Sequence, residues 1–191
     1  IEFEGEKLFE LLLTKEQIGH ILAVLRKHQI PMVLEGPNYI YVDEKDFVDD
    51  PYVIYLRNEL GENLKSITGT AQYEVNKLSA ELGNADVELV RKELGTEFDM
   101  IVHEPDGILE IGQAGHSKAS GIERLCASLG IAKEDTYAFG DSANDVEMLE
   151  FVAHGIAMGN GTDVAKNAAE FVTTDIHKDG IWNGLKHYGL I

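Results

Sequence analysis

The sequence predicts an α/β protein in two parts: an α+β module over residues 1–113, then a parallel-sheet segment over residues 114–191. Three observations predict this. After Gly115, short apolar runs alternate with helical patterns, the mark of right-handed βαβ units and a parallel sheet. Before it, hairpin patterns mix with helices, which indicates a separate α+β module. With 44% hydrophobic residues, the chain has material for packed cores, and its 191 residues fit one large domain or two small ones. Gln113-Ala114-Gly115 is the boundary, with no long linker, and residues 1–11 fit the edge of the second part as well. No internal repeat or low-complexity tract interrupts this pattern.

In chain order, Glu4-Gly5-Glu6 reads as a turn at the start of a short strand reaching Leu12. Thr14 with Gln17 forms a capping-box pattern, Ile18, Ile21, Leu22 and Leu25 recur at helical spacing, and Pro31 ends that helix. Met32–Leu34 and Tyr39–Val42 form a hairpin around Glu35-Gly36-Pro37-Asn38. A helix over Tyr52–Leu60 stops at Gly61, a strand covers Tyr73–Leu78, and a helix over Val87–Leu94 stops at Gly95. Phe98–His103 and Gly107–Ile111 form a second hairpin. The second part opens with a helix over Ser117–Leu129, with Ile122, Leu125 and Leu129 on its core face. Strands at Thr136–Phe139, His154–Met158 and Phe171–Thr173 then alternate with helices at Asp145–Phe151, Asp163–Ala169 and Gly180–Tyr188. Trp182, Leu185 and Tyr188 fit the core face of the last helix. Tyr39, Tyr41 and Tyr73 fit either a substrate-facing surface or strand packing.

The net charge of −18 argues against a nucleic-acid or membrane-surface partner, because phosphate backbones are bound by basic patches. It leaves room for a small phosphorylated ligand if a cation shares the site. The single cysteine, Cys126, forms no intrachain disulfide and sits at helical spacing with Ile122, Leu125 and Leu129, as a small core residue would. Without a signal peptide or a long apolar run, a cytoplasmic protein is expected. The seven histidines show no zinc spacing, and His116, near Lys118, reads as a surface residue.

The chemistry concentrates in Ala138-Phe139-Gly140-Asp141-Ser142-Ala143-Asn144-Asp145. Asp141 falls at the carboxyl end of a strand, where open parallel sheets bind ligands, and Gly140 fits a sharp backbone turn. Asn144 and Asp145 follow in the first turn of the next helix. Magnesium takes oxygen ligands and keeps several waters, so one or two carboxylates suffice. Helix capping by Ser142 or Asn144, with Asp145 on the helix dipole, explains the same residues equally well. Lys118 opens a helix, the less favourable end for a cation, which suits either an anion at the sheet edge or plain solvation.

These motifs occur in a recognisable order. His116-Ser117-Lys118-Ala119-Ser120-Gly121-Ile122, then Ala138 to Leu149, then Gly155-Ile156-Ala157-Met158-Gly159-Asn160, resemble the C-terminal half of the haloacid dehalogenase superfamily. More closely they are similar to its Cof-type sugar-phosphate phosphatases, as is the ending Phe171 to Asp175 and Asp179-Gly180-Ile181. The resemblance is specific over residues 114–191, which would form part of a Rossmann-like core, and looser over residues 1–113, which would be the α+β cap. It implies that Asp141 binds magnesium and that Asp145 completes the metal site, directly or through water, and holds Lys118. Lys118 would neutralise the substrate phosphate and the nucleophile, and Asn144 would support the metal loop. Ala119 departs from the glycine usual after this lysine.

The family's chemistry also uses an Asp-x-Asp-Gly segment, whose first aspartate forms an aspartyl-phosphate and whose second is the acid and base. No residue here matches those positions. Glu104-Pro105-Asp106-Gly107 looks similar, but it lies too close to Lys118, and turn chemistry accounts for it. The resemblance therefore implies a magnesium-dependent phosphatase of small phosphate monoesters, lacking its N-terminal core segment and inactive alone. Self-association through an exposed core sheet edge is expected to accompany that loss. The alternatives are a noncatalytic pseudoenzyme binding a phosphorylated ligand or protein partner, and a receiver-type magnesium domain. A receiver fits less well, because no cap precedes one.

Overall fold

The computed structural model describes residues 1–43, 47–68, 73–103 and 107–191. It divides into two compact units: Leu11–Ala114, and Ile1–Glu10 together with Gly115–Ile191. In chain order the elements begin with a small hairpin, β1 (Glu2–Phe3) and β2 (Glu6–Lys7). Its turn places Glu4 at φ 50° and Gly5 at φ 81°, the twist that favours tight hairpins. The expected continuation of that strand to Leu12 is absent.

The Leu11–Ala114 unit contains α1 (Lys15–Lys27), β3 (Met32–Glu35), β4 (Ile40–Val42), α2 (Pro51–Leu60), β5 (Leu64–Ser66), β6 (Lys77–Glu81), α3 (Val87–Leu94), β7 (Phe98–His103) and β8 (Ile108–Gln113). Thr14 and Gln17 complete the capping box at α1, and Asp50 and Asp86 cap α2 and α3. The six strands run β5-β4-β3-β6-β8-β7, antiparallel except for β4 beside β5. Strand alternation divides the sheet into two faces. Met32, Leu34, Leu78, Ala80, Leu109 and Ile111 meet Ile18, Ile21, Leu25, Val90 and Leu94 of α1 and α3. Val33 and Val42 pack instead with Val53 of α2.

The same face also carries a polar cluster. Lys77 bridges Glu110 at 3.0 Å and Glu35 at 3.4 Å, and the Ser79 hydroxyl donates to Glu35. Burial, reinforced by Glu35 and Glu81, pushes the Tyr52 hydroxyl up to about 12. Buried Asp43 is satisfied by Arg26 at 2.5 Å. The three tyrosines meet in series edge to face, Tyr39 with Tyr41 at 6.4 Å and Tyr41 with Tyr73 at 4.9 Å.

The expected strand at Tyr73–Leu78 is displaced to Lys77–Glu81. Upstream, the Val75 carbonyl accepts from Leu13 N–H and Asn76 N–H donates to Glu35, so those residues tie α1's lead-in to the sheet. β5, with its exposed Lys65 and Ser66, carries no apolar alternation and was not expected. The turn foreseen at Glu104–Gly107 lies, apart from Gly107, outside the described residues.

The second unit continues with α4 (Lys118–Leu129), β9 (Tyr137–Gly140), α5 (Val146–Phe151), β10 (His154–Ala157), α6 (Asp163–Ala168), β11 (Phe171–Val172) and α7 (Gly180–His187). Its sheet is parallel, in the order β11-β10-β9. Glycines set how closely the helices approach it. A Cβ at Gly155 would collide with the Leu149 backbone of α5. One at Gly184 of α7 would lie 2.5 Å from the Phe139 ring. Phe139 and Ile156 face α7, while Ala138 and Gly155 face α5.

Two expectations are corrected here. Trp182 is 52% exposed, because Gly180 and Gly184 form the buried face of α7 and Trp182 lies on the opposite side. On α4 the expected face holds, with Ile122, Leu125 and Leu129 half-buried and residues 123, 124, 127 and 128 exposed, but Cys126 is half-buried rather than a core residue. At the amino ends of the strands, rings cluster around the end of α7. Phe171 stacks on His187 at 3.9 Å, Tyr137 on His154 at 4.6 Å, and His154 lies 4.7 Å from Tyr188. Glu170 accepts from Tyr188 at 3.0 Å and from His154 at 2.9 Å. No helix among the described residues is long and apolar enough to cross a membrane.

Candidate active site

The carboxyl ends of β9, β10 and β11 release three loops that are hydrogen-bonded to one another. Met158 N–H donates to the Gly140 carbonyl at 2.9 Å and Thr162 N–H to the Asp141 carbonyl at 2.8 Å. Gly159 N–H donates to Thr174 at 3.1 Å. In parallel sheets this is the edge that binds ligands.

Asp145 organises the first loop. Its side chain is only 5% exposed, and both oxygens are engaged. Oδ2 accepts the N–H groups of Asp141 at 2.9 Å and Ser142 at 3.2 Å, and Oδ1 accepts Lys118 Nζ at 2.5 Å. Burial pushes this carboxyl up, but the Lys118 hydrogen bond, the two amides and the lysine's charge outweigh it and hold it below the ordinary carboxylate value. Gly140 makes room for it: a Cβ there would lie 2.6 Å from Asp145 Cβ. Gly140 is not among the positive-φ residues, so clearance rather than a sharp turn is the need.

Lys118 is the first residue of α4, after the cap Ser117, whose N–H donates to Ser120 Oγ at 2.9 Å. Its side chain is 48% exposed, so the ammonium is held on one side by Asp145 and open to solvent on the other. Asn144 Oδ1 accepts the Ser142 hydroxyl at 2.6 Å, which stiffens the same loop. Asp141 differs from both. It is exposed, and among the described residues its carboxylate takes no hydrogen bond or ion pair. His116 packs half-buried with its ring 6.2 Å from that of Phe9.

The structure therefore brings Lys118 and Asp145 into contact and sets Asp141 beside them through the backbone. The two interpretations of the motif separate by residue: Asp145 does the loop-capping work, and Asp141 is left free. Asp141 fits magnesium as an uncommitted hard oxygen donor. Asp145 fits as a partner to Lys118 or through a water, since both its oxygens are already engaged. Among the described residues no group of three or more acidic, histidine or cysteine side chains is placed to hold a metal ion by itself. Thr162 and Gly161, which clamp the Asp141 backbone, were not anticipated; their only sequence signal is the Gly159-Asn160-Gly161 run.

A profile of haloacid dehalogenase-like hydrolases matches residues 1–185. The chain belongs to this family. Among its relatives, the 5-amino-6-(5-phospho-D-ribitylamino)uracil phosphatase YitU of Bacillus subtilis is 36% identical over 138 residues, covering 70% of this chain and 47% of that protein. The phosphoglycolate phosphatase of Halobacterium salinarum is 30% identical over 193 residues, 85% of each chain. The structure of a hypothetical protein from Geobacillus kaustophilus HTA426 aligns with a TM-score of 0.79 at 32% identity, over 99% of this chain and 73% of that one. A HAD subclass IIB sugar phosphatase shares the fold at TM-score 0.79 and 24% identity, over 99% of this chain and 72% of that one. The chain thus spans about half the length of the Bacillus subtilis relative and about three-quarters of these solved structures.

Proposed function

We propose that this chain serves a magnesium-dependent phosphatase of small phosphate monoesters, sugar phosphates or similar metabolites. The observation that carries this is the free Asp141 carboxylate beside the Lys118–Asp145 pair at the carboxyl edge of a parallel sheet. The two curated relatives, both phosphatases of small phosphorylated metabolites, support the substrate class.

In this assignment Asp141 and Asp145 would hold the metal, Asp141 as an uncommitted carboxylate and Asp145 directly or through water while it keeps Lys118. Bound magnesium would supply charge neutralisation to a phosphoryl group. Lys118, fixed by Asp145 and open on its other side, places a second positive charge where phosphate oxygens arrive. Asn144 and Ser142 hold the loop in shape. Turnover would pass through an aspartyl-phosphate on an Asp-x-Asp-Gly segment, which these 191 residues do not supply, so the chain alone would bind without turning over.

Calorimetric titration of magnesium into the chain tests this. Binding that Asp141→Asn weakens by about tenfold or more is expected, since loss of one charged oxygen donor costs about 1.4 kcal/mol or more. Magnesium binding unchanged in Asp141→Asn would remove the assignment. Turnover of p-nitrophenyl phosphate by the pure chain, abolished by Asp141→Asn, would refute its inactivity alone.

A further inference from the structure

The loop after β10 carries a side chain that the catalytic assignment leaves unused. Asn160 is exposed, yet it is held firmly. Its Oδ1 accepts Ile176 N–H at 2.9 Å, which assigns the amide's orientation and turns Nδ2 away from that bond. Among the described residues Nδ2 has no partner.

The flanking glycines fix the loop on both sides. A Cβ at Gly159 would lie 2.7 Å from Asp175 N, and one at Gly161 would lie 2.9 Å from the Asp141 carbonyl oxygen and 3.0 Å from Asp141 Cα. Neither glycine has positive φ, so close backbone approach explains them. Thr162 N–H completes the clamp on Asp141. Asn160 is therefore presented from a rigid apex, one residue from backbone that touches Asp141. An ordinary surface asparagine would be free to rotate. This one has its Oδ1 fixed by Ile176 N–H, which leaves the Nδ2 donors unpartnered among the described residues at the edge where Asp141 is a bare acceptor.

We propose that Asn160 is a ligand-contacting residue whose Nδ2 donates to a phosphoryl oxygen held beside Asp141. This rests on the phosphate-binding assignment above. Lys118 then supplies the charged donor and Asn160 a neutral, oriented one, so the phosphoryl group is gripped by two loops rather than one.

Asn160→Asp separates the two halves of this side chain. It keeps an oxygen for Ile176 N–H and the same shape, removes the donor, and adds a repelling charge. The assay is calorimetric titration of inorganic phosphate into the magnesium-saturated 191-residue chain. Phosphate affinity lower by about tenfold or more is expected, with the thermal midpoint unchanged and magnesium affinity equal or tighter. Phosphate binding equal to the parent's would overturn the role of Asn160 and leave the phosphatase assignment standing. A parent chain that binds no phosphate in saturating magnesium would overturn both. If Asn160→Asp lowers the thermal midpoint, Ile176→Pro, which removes the N–H partner and keeps the Asn160 donor, is the control: phosphate binding by Asn160→Asp weakened well beyond that of Ile176→Pro upholds the contact, and equal weakening removes it.

Discussion

The two units are held together by different means. In Leu11–Ala114 the sheet buries large apolar side chains against helices, and α1 alone buries five residues. Among the largest fully buried side chains of the described residues, only Ile156 belongs to the unit that carries Lys118 and Asp141. That unit relies on close backbone approach instead. Glycines 140, 155, 159, 161, 180 and 184 all sit where a Cβ would collide, and among the described residues the other unit has one such position, Gly36. Apolar burial tolerates exchange of one hydrophobe for another if volume is kept. A glycine packed this closely accepts an added methyl group only if its neighbour shifts. The lesson is that the parallel-sheet unit is specified by what is missing from its side chains, and the six-stranded unit by what its side chains fill.

Three substitutions test that contrast. Leu25→Ala in α1 removes a fully buried side chain and should destabilise Leu11–Ala114 by about 2–5 kcal/mol. Denaturation followed by segment-resolved hydrogen exchange should place the loss there, with magnesium binding kept; equal loss in both units would break the contrast. Gly140→Ala adds one methyl group against Asp145 and should cost about 1–3 kcal/mol. It should also weaken magnesium binding, which a cavity in the other unit would not do. The smallest effect concerns pH. Because the Asp145 carboxyl is held below its ordinary value, its contribution to stability is complete above about pH 4 and is lost as pH falls through the depressed folded value. Thermal midpoints measured down that acid range should fall less steeply for Asp145→Asn than for the parent.

What could be read in the sequence follows the same division. Helices with caps and apolar stripes, such as Thr14 through Leu25, are local and were legible. So were the three parallel strands, because each apolar run stops at a glycine or polar turn. β5 and the displaced β6 were not, because their pairing is decided by partners far along the chain. Trp182 misled because apolarity says which residues prefer burial and not which face of a helix is short enough to approach a sheet. In the site, spacing alone left the division of labour between Asp141 and Asp145 open; the family resemblance assigned Lys118 to Asp145, and the structure pairs the two at 2.5 Å. Which carboxylate is consumed by two amides and a lysine depends on where the chain brings Lys118, 27 residues away.

The ring cluster around Tyr188 has a mechanical consequence. α7 is a strut of eight residues, about 12 Å long, fastened at both ends. At one end Tyr188 and His187 lock to β10 and β11 through Phe171, His154 and Glu170. At the other, Thr173 Oγ1 donates to the Gly180 carbonyl at 2.7 Å and Asn183 Nδ2 reaches Thr174 and Lys178 at 2.8 and 3.0 Å. The turn that seats Asn160 is thus braced from the far edge of the sheet, and loosening the rings would slacken the anchorage of Ile176 without touching a single group at the ligand edge.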